Sequence, residues 1–302
     1  MKEFFVMNGQ LISNEEYTNI INSFKSLNEL KDSEEKIIVE LRRLVEDAVK
    51  ERLEGLDSVG IFFSGGLDSS YITALCKKNN TNFTCYTVGF RDGNFKEPED
   101  VEQAIKVAKF LKLDDYQFKH EIFHIKEMED IFTKTIKILR TSNIDINNVV
   151  NVGVGSVVVA AQSICQDEKF FFSGLGSEEI FAGYDRHKKN PSNDECFAGL
   201  LQMYERDLIR DSTISKALGF SFITPFLDPE LIRYSLKIPI QYKVNEQNSK
   251  MILRHAAHQL LKAHAERPKR AAQYGSSFDR ALGKIASMHK FKFKKEYIKS
   301  IQ

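Results

Sequence analysis

Short unbroken apolar runs and longer stretches of three-and-four spacing take turns along most of this chain. Val59-Gly60-Ile61-Phe62-Phe63, Phe83-Thr84-Cys85-Tyr86-Thr87-Val88-Gly89-Phe90 and Phe170-Phe171-Phe172 are runs of the first kind. Such runs predict strands buried on both faces, whereas apolar residues at helical spacing predict helices that cover them. Asp32-Ser33-Glu34-Glu35 offers a helix start, with Asp32 as N-cap and Glu35 three positions on, and Ile37, Leu41, Leu44, Val45 and Ala48 follow at helical spacing. A second helix follows the first run through Tyr71, Ile72, Ala74 and Leu75 to the turn at Asn79-Asn80. A third is expected from near Pro98 to Leu111, with Val101, Ile105, Ala108 and Leu111 on one face. Another strand is expected around Tyr116 to Lys119, then helical segments over about 126–140 and 147–167.

Strands alternating with helices imply right-handed βαβ units and a parallel sheet covered on both faces. The predicted fold is therefore α/β, a doubly wound sheet. After about residue 190 the pattern turns helical. A helix is expected over 194–217, a rigid turn at Pro225-Phe226-Leu227-Asp228-Pro229, and an amphipathic helix over 248–264. We divide the chain into an N-terminal extension (1–31), an α/β core (32–190) and a helical C-terminal part (191–302).

Composition changes this picture little. With 43 Lys and Arg against 42 Asp and Glu, no general attraction to nucleic acid or membrane is implied. No apolar run approaches the roughly 20 residues of a membrane span, and the start carries no signal-peptide pattern. Cys76, Cys85, Cys165 and Cys196 form no CxxC pair. They read as free thiols in a reducing compartment, so the expected location is cytoplasmic.

The chemistry concentrates in two glycine-rich turns, each at the end of a predicted strand. In the first, Ser64-Gly65-Gly66-Leu67-Asp68-Ser69-Ser70, the two glycines let backbone N–H groups approach an anion. Ser64, Ser69 and Ser70 add hydroxyls, and the helix that begins here adds its positive end. The loop is suited to a phosphate or pyrophosphate. Asp68 would repel that phosphate unless a cation lies between them, which argues for Mg²⁺. No Gly-Lys-Ser/Thr follows, so this is not a Walker A loop, and transfer of a γ-phosphate is disfavoured. The second turn is Ser173-Gly174-Leu175-Gly176-Ser177-Glu178-Glu179. In parallel sheets ligands bind beyond the carboxyl ends of the strands, where both turns are expected.

These motifs resemble a known family. SGGLDSS resembles the PP-loop of ATP pyrophosphatases, in the version carried by the synthetase domain of asparagine synthetases and β-lactam synthetases. Further similar segments follow in the family's order: Thr87-Val88-Gly89-Phe90, SGLGSEEIFAGY (173–184), the Arg/Asp-rich stretch Arg206 to Asp211, TPFLDPELIRYSLKIP (224–239) and Ser249-Lys250-Met251-Ile252-Leu253-Arg254. The resemblance covers about 35–290. AGYDRH (182–187) and RPKRAAQYGS (267–276) are most similar to eukaryotic proteins named for an asparagine synthetase domain.

The resemblance implies a five-stranded parallel sheet of the adenine nucleotide alpha hydrolase kind, with ATP and Mg²⁺ as cofactors. It implies that Ser64, Gly65, Gly66, Asp68, Ser69, Ser70 and Gly174 hold the nucleotide, that Val88 and Gly89 offer backbone groups to adenine, and that Asp68 and Glu178 hold Mg²⁺. Lys250 would stabilise charge at phosphorus, making Lys250, Asp68 and Glu178 the catalytic set. One departure bears on the activity. The family carries a glutamate where this chain has Leu175, and leucine accepts no proton. The adenylating half-reaction does not need that residue; the amide-forming half is the one affected.

The implied activity is an AMP-forming ligase that adenylates aspartate and transfers it to ammonia. Residue 2 is Lys2, not the cysteine of an N-terminal-nucleophile glutaminase, so ammonia is expected to arrive free or from a separate glutaminase chain. The alternatives are a ligase for another carboxylate or amine, of β-lactam or tRNA-linked type, and a nucleotide-binding partner protein without turnover. Neither membrane nor nucleic acid is an expected partner. His255 and His258 share a helix face without a third ligand and read as surface or packing residues. The tail from Arg267 onward, with Lys269, Arg270, Lys284, Lys290, Lys292, Lys294, Lys295 and Lys299, is basic. It reads first as solvated charge, next as a lid over the nucleotide, and last as an RNA contact.

Overall fold

A computed structural model describes residues 3–7, 10–25, 28–93, 97–142, 144–268 and 271–301. Lys2, Lys269 and Arg270, named above, lie outside the described residues. A short antiparallel hairpin, β1 (Val6–Met7) with β2 (Gln10–Leu11), precedes the main sheet. That sheet holds β3 (Val59–Phe62), β4 (Phe83–Phe90), β5 (Phe118–Phe123), β6 (Phe170–Phe172) and β7 (Ser221–Ile223) in the order β5-β4-β3-β6-β7. Every neighbouring pair in it is parallel, as the five-stranded expectation required.

The central strands are apolar throughout because helices bury both faces; all eight residues of β4 are buried. Gly60 in β3 is a packing requirement. A Cβ there would lie 2.1 Å from the ring of Phe171, which stacks on Phe62 at 4.9 Å between centroids. Helices Glu34–Leu53, Leu67–Lys78 and Met251–Leu261 supply Ile37, Leu41, Ile72, Leu75, Ile252 and Leu253 to one apolar core. Helices Ile125–Leu139, Val149–Ser163 and Phe278–Met288 supply Met128, Phe132, Val159 and Leu282 to the other. The described residues of the N-terminal extension join the first core through Phe5, Tyr17, Ile21 and Phe24.

Several sequence expectations shift. The first long helix is capped by Ser33 rather than Asp32: Ser33 has extended backbone, and its carbonyl accepts from the Ile37 N–H. Ile105 is 42% exposed, while Ala104 and Val107 are buried, because Ala104 backs onto Gly65. The strand expected around Tyr116 to Lys119 begins at Phe118, since the Asp114 carboxylate accepts from the Tyr116 and Gln117 N–H groups and holds a turn there. The helix expected over 194–217 is Asn193–Met203 and Ile209–Leu218, joined by a π-helical turn, Tyr204–Leu208. β7, a three-residue strand, carried no legible pattern.

Strand order reverses at β3. The chain winds outward through β4 and β5, then returns to β6 on the other side of β3. Ile61 of β3 faces Phe172 of β6 in register, so the two glycine-rich turns leave neighbouring strands side by side. This is the crevice where open α/β sheets take their ligands.

Candidate active site

A cavity of about 570 Å³ opens over these two turns. Ser64, Gly66, Asp68 and Ser69 of the first turn and Gly174, Leu175 and Glu178 of the second line it. Two loop residues face elsewhere. Gly65 has φ +64°, and a Cβ on it would meet the Ala104 N at 2.5 Å, so its glycine serves the turn and the helix behind it. Ser70 is fully buried in the helix and does not line the cavity. Gly66 caps the helix Leu67–Lys78, leaving that helix's first N–H groups directed at the cavity.

The two turns touch because Gly174 has no side chain: a Cβ there would stand 2.7 Å from the Asp68 Cβ. Into this junction comes Lys250, only 3% exposed. Its Nζ donates to both Asp68 carboxylate oxygens at 2.7 and 2.9 Å, to Glu178 Oε1 at 2.5 Å and to Ser177 Oγ at 2.9 Å. Lys250 begins the helix Met251–Leu261 in the left-handed conformation, φ 55°, which costs a side-chain-bearing residue about 1–2 kcal/mol. Gly183 makes room for it. A Cβ on Gly183 would come within 1.9 Å of Glu178 Oε2 and 2.5 Å of Lys250 Cε. Thus the residues singled out as catalytic, Asp68, Glu178 and Lys250, meet at one point. In this arrangement both carboxylates share the Lys250 ammonium as a partner.

The adenine-side expectations divide. Val88 lines the cavity near Val154, Val157 and Val158 of the helix Val149–Ser163. Gly89 does not line it: its Cβ would collide with Pro98 at 2.6 Å, so packing explains that glycine.

The far end of the cavity is built by residues that local patterns left without a role. Arg206 and Asp207 ride on the π-helical turn, an irregularity that recurs at functional sites. Arg206 pairs with the buried Glu179 and donates to Asp207 Oδ2 at 2.7 Å. Tyr184 donates to Glu179 Oε1 at 3.0 Å, and its ring lies under the guanidinium of Arg186 at 4.2 Å. Burial raises the Glu179 carboxyl above its ordinary range, and Arg206 opposes that rise. Arg210 pairs with Asp211 at 2.7 Å and Asp207 at 3.2 Å. Leu175 lines the same cavity and packs against the first core.

Other sequence candidates lie apart. His255 and His258 are on the outer face of their helix, His255 against Glu34 at 2.9 Å. Cys76, Cys85 and Cys196 are buried free thiols, whereas Cys165 is half-buried. Among the described residues no cluster of three or more His, Cys, Asp or Glu side chains is arranged for a metal, and no helix is long and apolar enough to cross a membrane. Arg267, from the basic tail, reaches the first turn: its guanidinium donates to the Ser64 carbonyl at 2.5 Å and to Asp100 Oδ1 at 2.7 Å. Ser177, Gly183 and Asp100 were not assigned from the sequence, and Arg267 was read only as part of a basic tail, first as solvated charge and next as a lid. The signal for Gly183 was its place in the AGY phrase; Asp100 had none.

Comparison with known proteins agrees with the motifs. The profile of the asparagine synthase family matches residues 40–200 and 191–288. A Methanocaldococcus jannaschii protein with the provisional name asparagine synthetase (glutamine-hydrolysing) 1 is 30% identical over 321 residues, covering 91% of this chain and 57% of that one. An asparagine synthetase domain-containing protein of Saccharomyces cerevisiae is 27% identical over 294 residues, covering 84% of this chain and 54% of that one. The chain thus spans little more than half the length of these relatives. Among solved structures, a U34-tRNA thiolase of Methanococcus maripaludis is similar with a TM-score of 0.37 and 16% identity, over 88% of this chain and 77% of that one.

Proposed function

The chain belongs to the asparagine synthase family, and from that premise we propose that it activates the side-chain carboxylate of aspartate with ATP and passes the acyl group to ammonia. Family membership carries the coarser reading, an ATP-using ligase. The observation that supports the finer one is the meeting of Asp68, Glu178 and Lys250 over a helix N-terminus at the strand-order reversal.

In this reading a carboxylate oxygen of the substrate attacks the α-phosphorus of ATP. The bond to the bridging oxygen of the β-phosphate breaks, and pyrophosphate leaves. The amine nitrogen then attacks the acyl carbon and loses a proton, and AMP departs. Backbone N–H groups at Gly66 and the helix start hold the pyrophosphate portion. Lys250 neutralises charge as it moves from the α-phosphate to the leaving group. Much of the rate then comes from holding the carboxylate in line with phosphorus.

The donor set fits Mg²⁺. Asp68 and Glu178 already converge on one cation, and two carboxylates completed by phosphate oxygens and water suit this ion. When bound there, Mg²⁺ would supply charge neutralisation between the carboxylates and the phosphates.

Leu175 favours a second reading, a ligase for another carboxylate or amine. It lines the cavity where the family carries a glutamate, and it takes no proton from ammonia as the nitrogen attacks. ATP–pyrophosphate exchange, screened over aspartate and other carboxylates with and without ammonia, separates the readings. Exchange with aspartate and asparagine release supports the first. Exchange with another acid alone supports the second. ATP binding with no exchange for any acid sinks both in favour of a protein without turnover.

A further inference from the structure

Nine-tenths of the Arg267 side chain is buried, yet its Nε–H has no partner among the described residues. Its Nη1 and Nη2 each donate one hydrogen bond, to the Ser64 carbonyl of the first glycine-rich turn and to Asp100 behind it. Arg267 lines the cavity, and its Nη1 stands 3.9 Å from the position of a Cβ on Gly66, the residue that caps the loop helix. A guanidinium is therefore held beside the first glycine-rich turn, in the cavity that Lys250 also lines. Nη1 meets a neutral carbonyl and Nη2 a carboxylate, while Nε–H faces no acceptor among the described residues. Guanidinium groups bind phosphates through several donors at once, and Nε–H with one Nη is such a pair.

A second orphan lies on the same segment. Gln273 is 4% exposed and lines the same cavity, and its Oε1 also lacks a partner among the described residues. It packs against Gly153 of the helix Val149–Ser163, whose valines line the end of the cavity that Val88 shares. That end is apolar enough for a flat base, and Gln273 offers it a hydrogen-bonding amide.

We infer that Arg267 and Gln273, carried on one C-terminal segment, are nucleotide-binding residues, Arg267 for the phosphate chain and Gln273 for the base. This rests on the ATP reading of the cavity. Asp100 positions Arg267: it is buried at the start of the helix Glu99–Phe110, and the lack of a side chain on Gly275 lets this segment lie against it, since a Cβ there would meet Asp100 Oδ1 at 2.2 Å. When a polyphosphate arrives, Arg267 turns its free edge to it, and the Ser64 carbonyl is the contact it gives up.

The test is calorimetric titration of the full chain with magnesium pyrophosphate and with a non-hydrolysable ATP analogue. Four proteins are compared: the parent, Arg267→Lys, Arg267→Gln and Gln273→Ala. Arg267→Gln is expected to weaken pyrophosphate at least about tenfold, the scale of a lost charge-assisted contact, with Arg267→Lys between it and the parent. Gln273→Ala is expected to weaken the ATP analogue while leaving pyrophosphate unchanged, because pyrophosphate has no base. Pyrophosphate affinity in Arg267→Gln equal to the parent's overturns the assignment. Equal loss of both ligands in Gln273→Ala overturns its half. A parent that binds neither ligand overturns the ATP reading itself, which is distinguishable from a parent that binds while the variants do not differ.

Discussion

Asp68 and Lys250 lie 182 positions apart and are joined by two hydrogen bonds, 2.7 and 2.9 Å long. Asp68 opens the helix after β3, and Lys250 opens the helix Met251–Leu261 from a left-handed backbone conformation. The same ammonium holds Glu178 from the second turn. It ties both glycine-rich turns to the C-terminal part through one atom, and it keeps two carboxylates of like charge compatible at close range.

Replacing Lys250 therefore acts on chemistry before it acts on fold. Lys250→Met is expected to lower ATP–pyrophosphate exchange by about 10²–10³-fold, the scale for losing one preorganised charge-stabilising donor. Asp68→Ala is expected to abolish magnesium-dependent ATP binding. Exchange at the parent rate in Lys250→Met would remove this lysine from the proposed mechanism.

Gly183→Ala tests how tightly the junction is built. Its Cβ has no room beside Glu178 Oε2 and Lys250 Cε, at 1.9 and 2.5 Å. Overpacking of this kind costs about 1–3 kcal/mol, and the easiest relief is displacement of the Lys250 and Glu178 side chains. Exchange should fall at least about tenfold while the thermal midpoint moves by only several degrees. A variant with full exchange would mean that the side chains have slack the geometry does not show.

Leu175→Glu restores the acid that the family carries at this place. The expected result is more asparagine released per exchange event when ammonia is supplied, by about 10²-fold, the lower end of the general-base range, with exchange itself little changed. No rise in that ratio favours an acceptor other than ammonia.

His187 gives the protein a pH dependence. Its buried ring accepts from the Tyr184 N–H through Nδ1 at 3.1 Å, and burial pushes its pKa down from 6.5 to about 4. Between those values the unfolded chain binds the proton and the folded one does not, so stability is full above 6.5 and falls as the pH drops toward 4. The shift corresponds to a loss on the order of 3 kcal/mol. His187→Asn keeps an acceptor without the titration, so urea unfolding of this variant should lose less stability between pH 7 and 4 than the parent. Identical pH profiles would exclude His187 as a contributor.

Glu3 ties the N-terminal extension to the core. It accepts from Arg52 Nε at 2.9 Å and from the Thr224 N–H and hydroxyl at 3.1 and 2.8 Å, and Arg52 is fully buried. Glu3→Ala leaves that guanidinium with Asp228 as its carboxylate partner at 3.2 Å. The expected cost is about 3 kcal/mol in urea unfolding, the lower end for breaking a buried ion pair. A loss under about 1 kcal/mol would mean that the pair is no better than a surface bridge.

The sequence by itself determined the parallel sheet, its central strands β3, β4 and β6, and the place of the two glycine-rich turns at strand ends. Each of those readings depends on residues near one another in the chain: an apolar run, a helical period, glycines beside a helix start. Asp68, Glu178 and Lys250 were nameable as well, because enough of each motif remains around them despite the change at Leu175. Tertiary structure alone decided that Lys250 bridges both carboxylates, that Gly183 is shaped by that bridge, and that Gly89 answers to Pro98 while Gly65 answers to Ala104. It alone brought Arg267 onto Ser64 and set Arg206 and Asp207 on a π-helical turn. Those facts join residues up to 203 positions apart, and such contacts are fixed by how helices pack on the sheet, about which local periodicity carries no information.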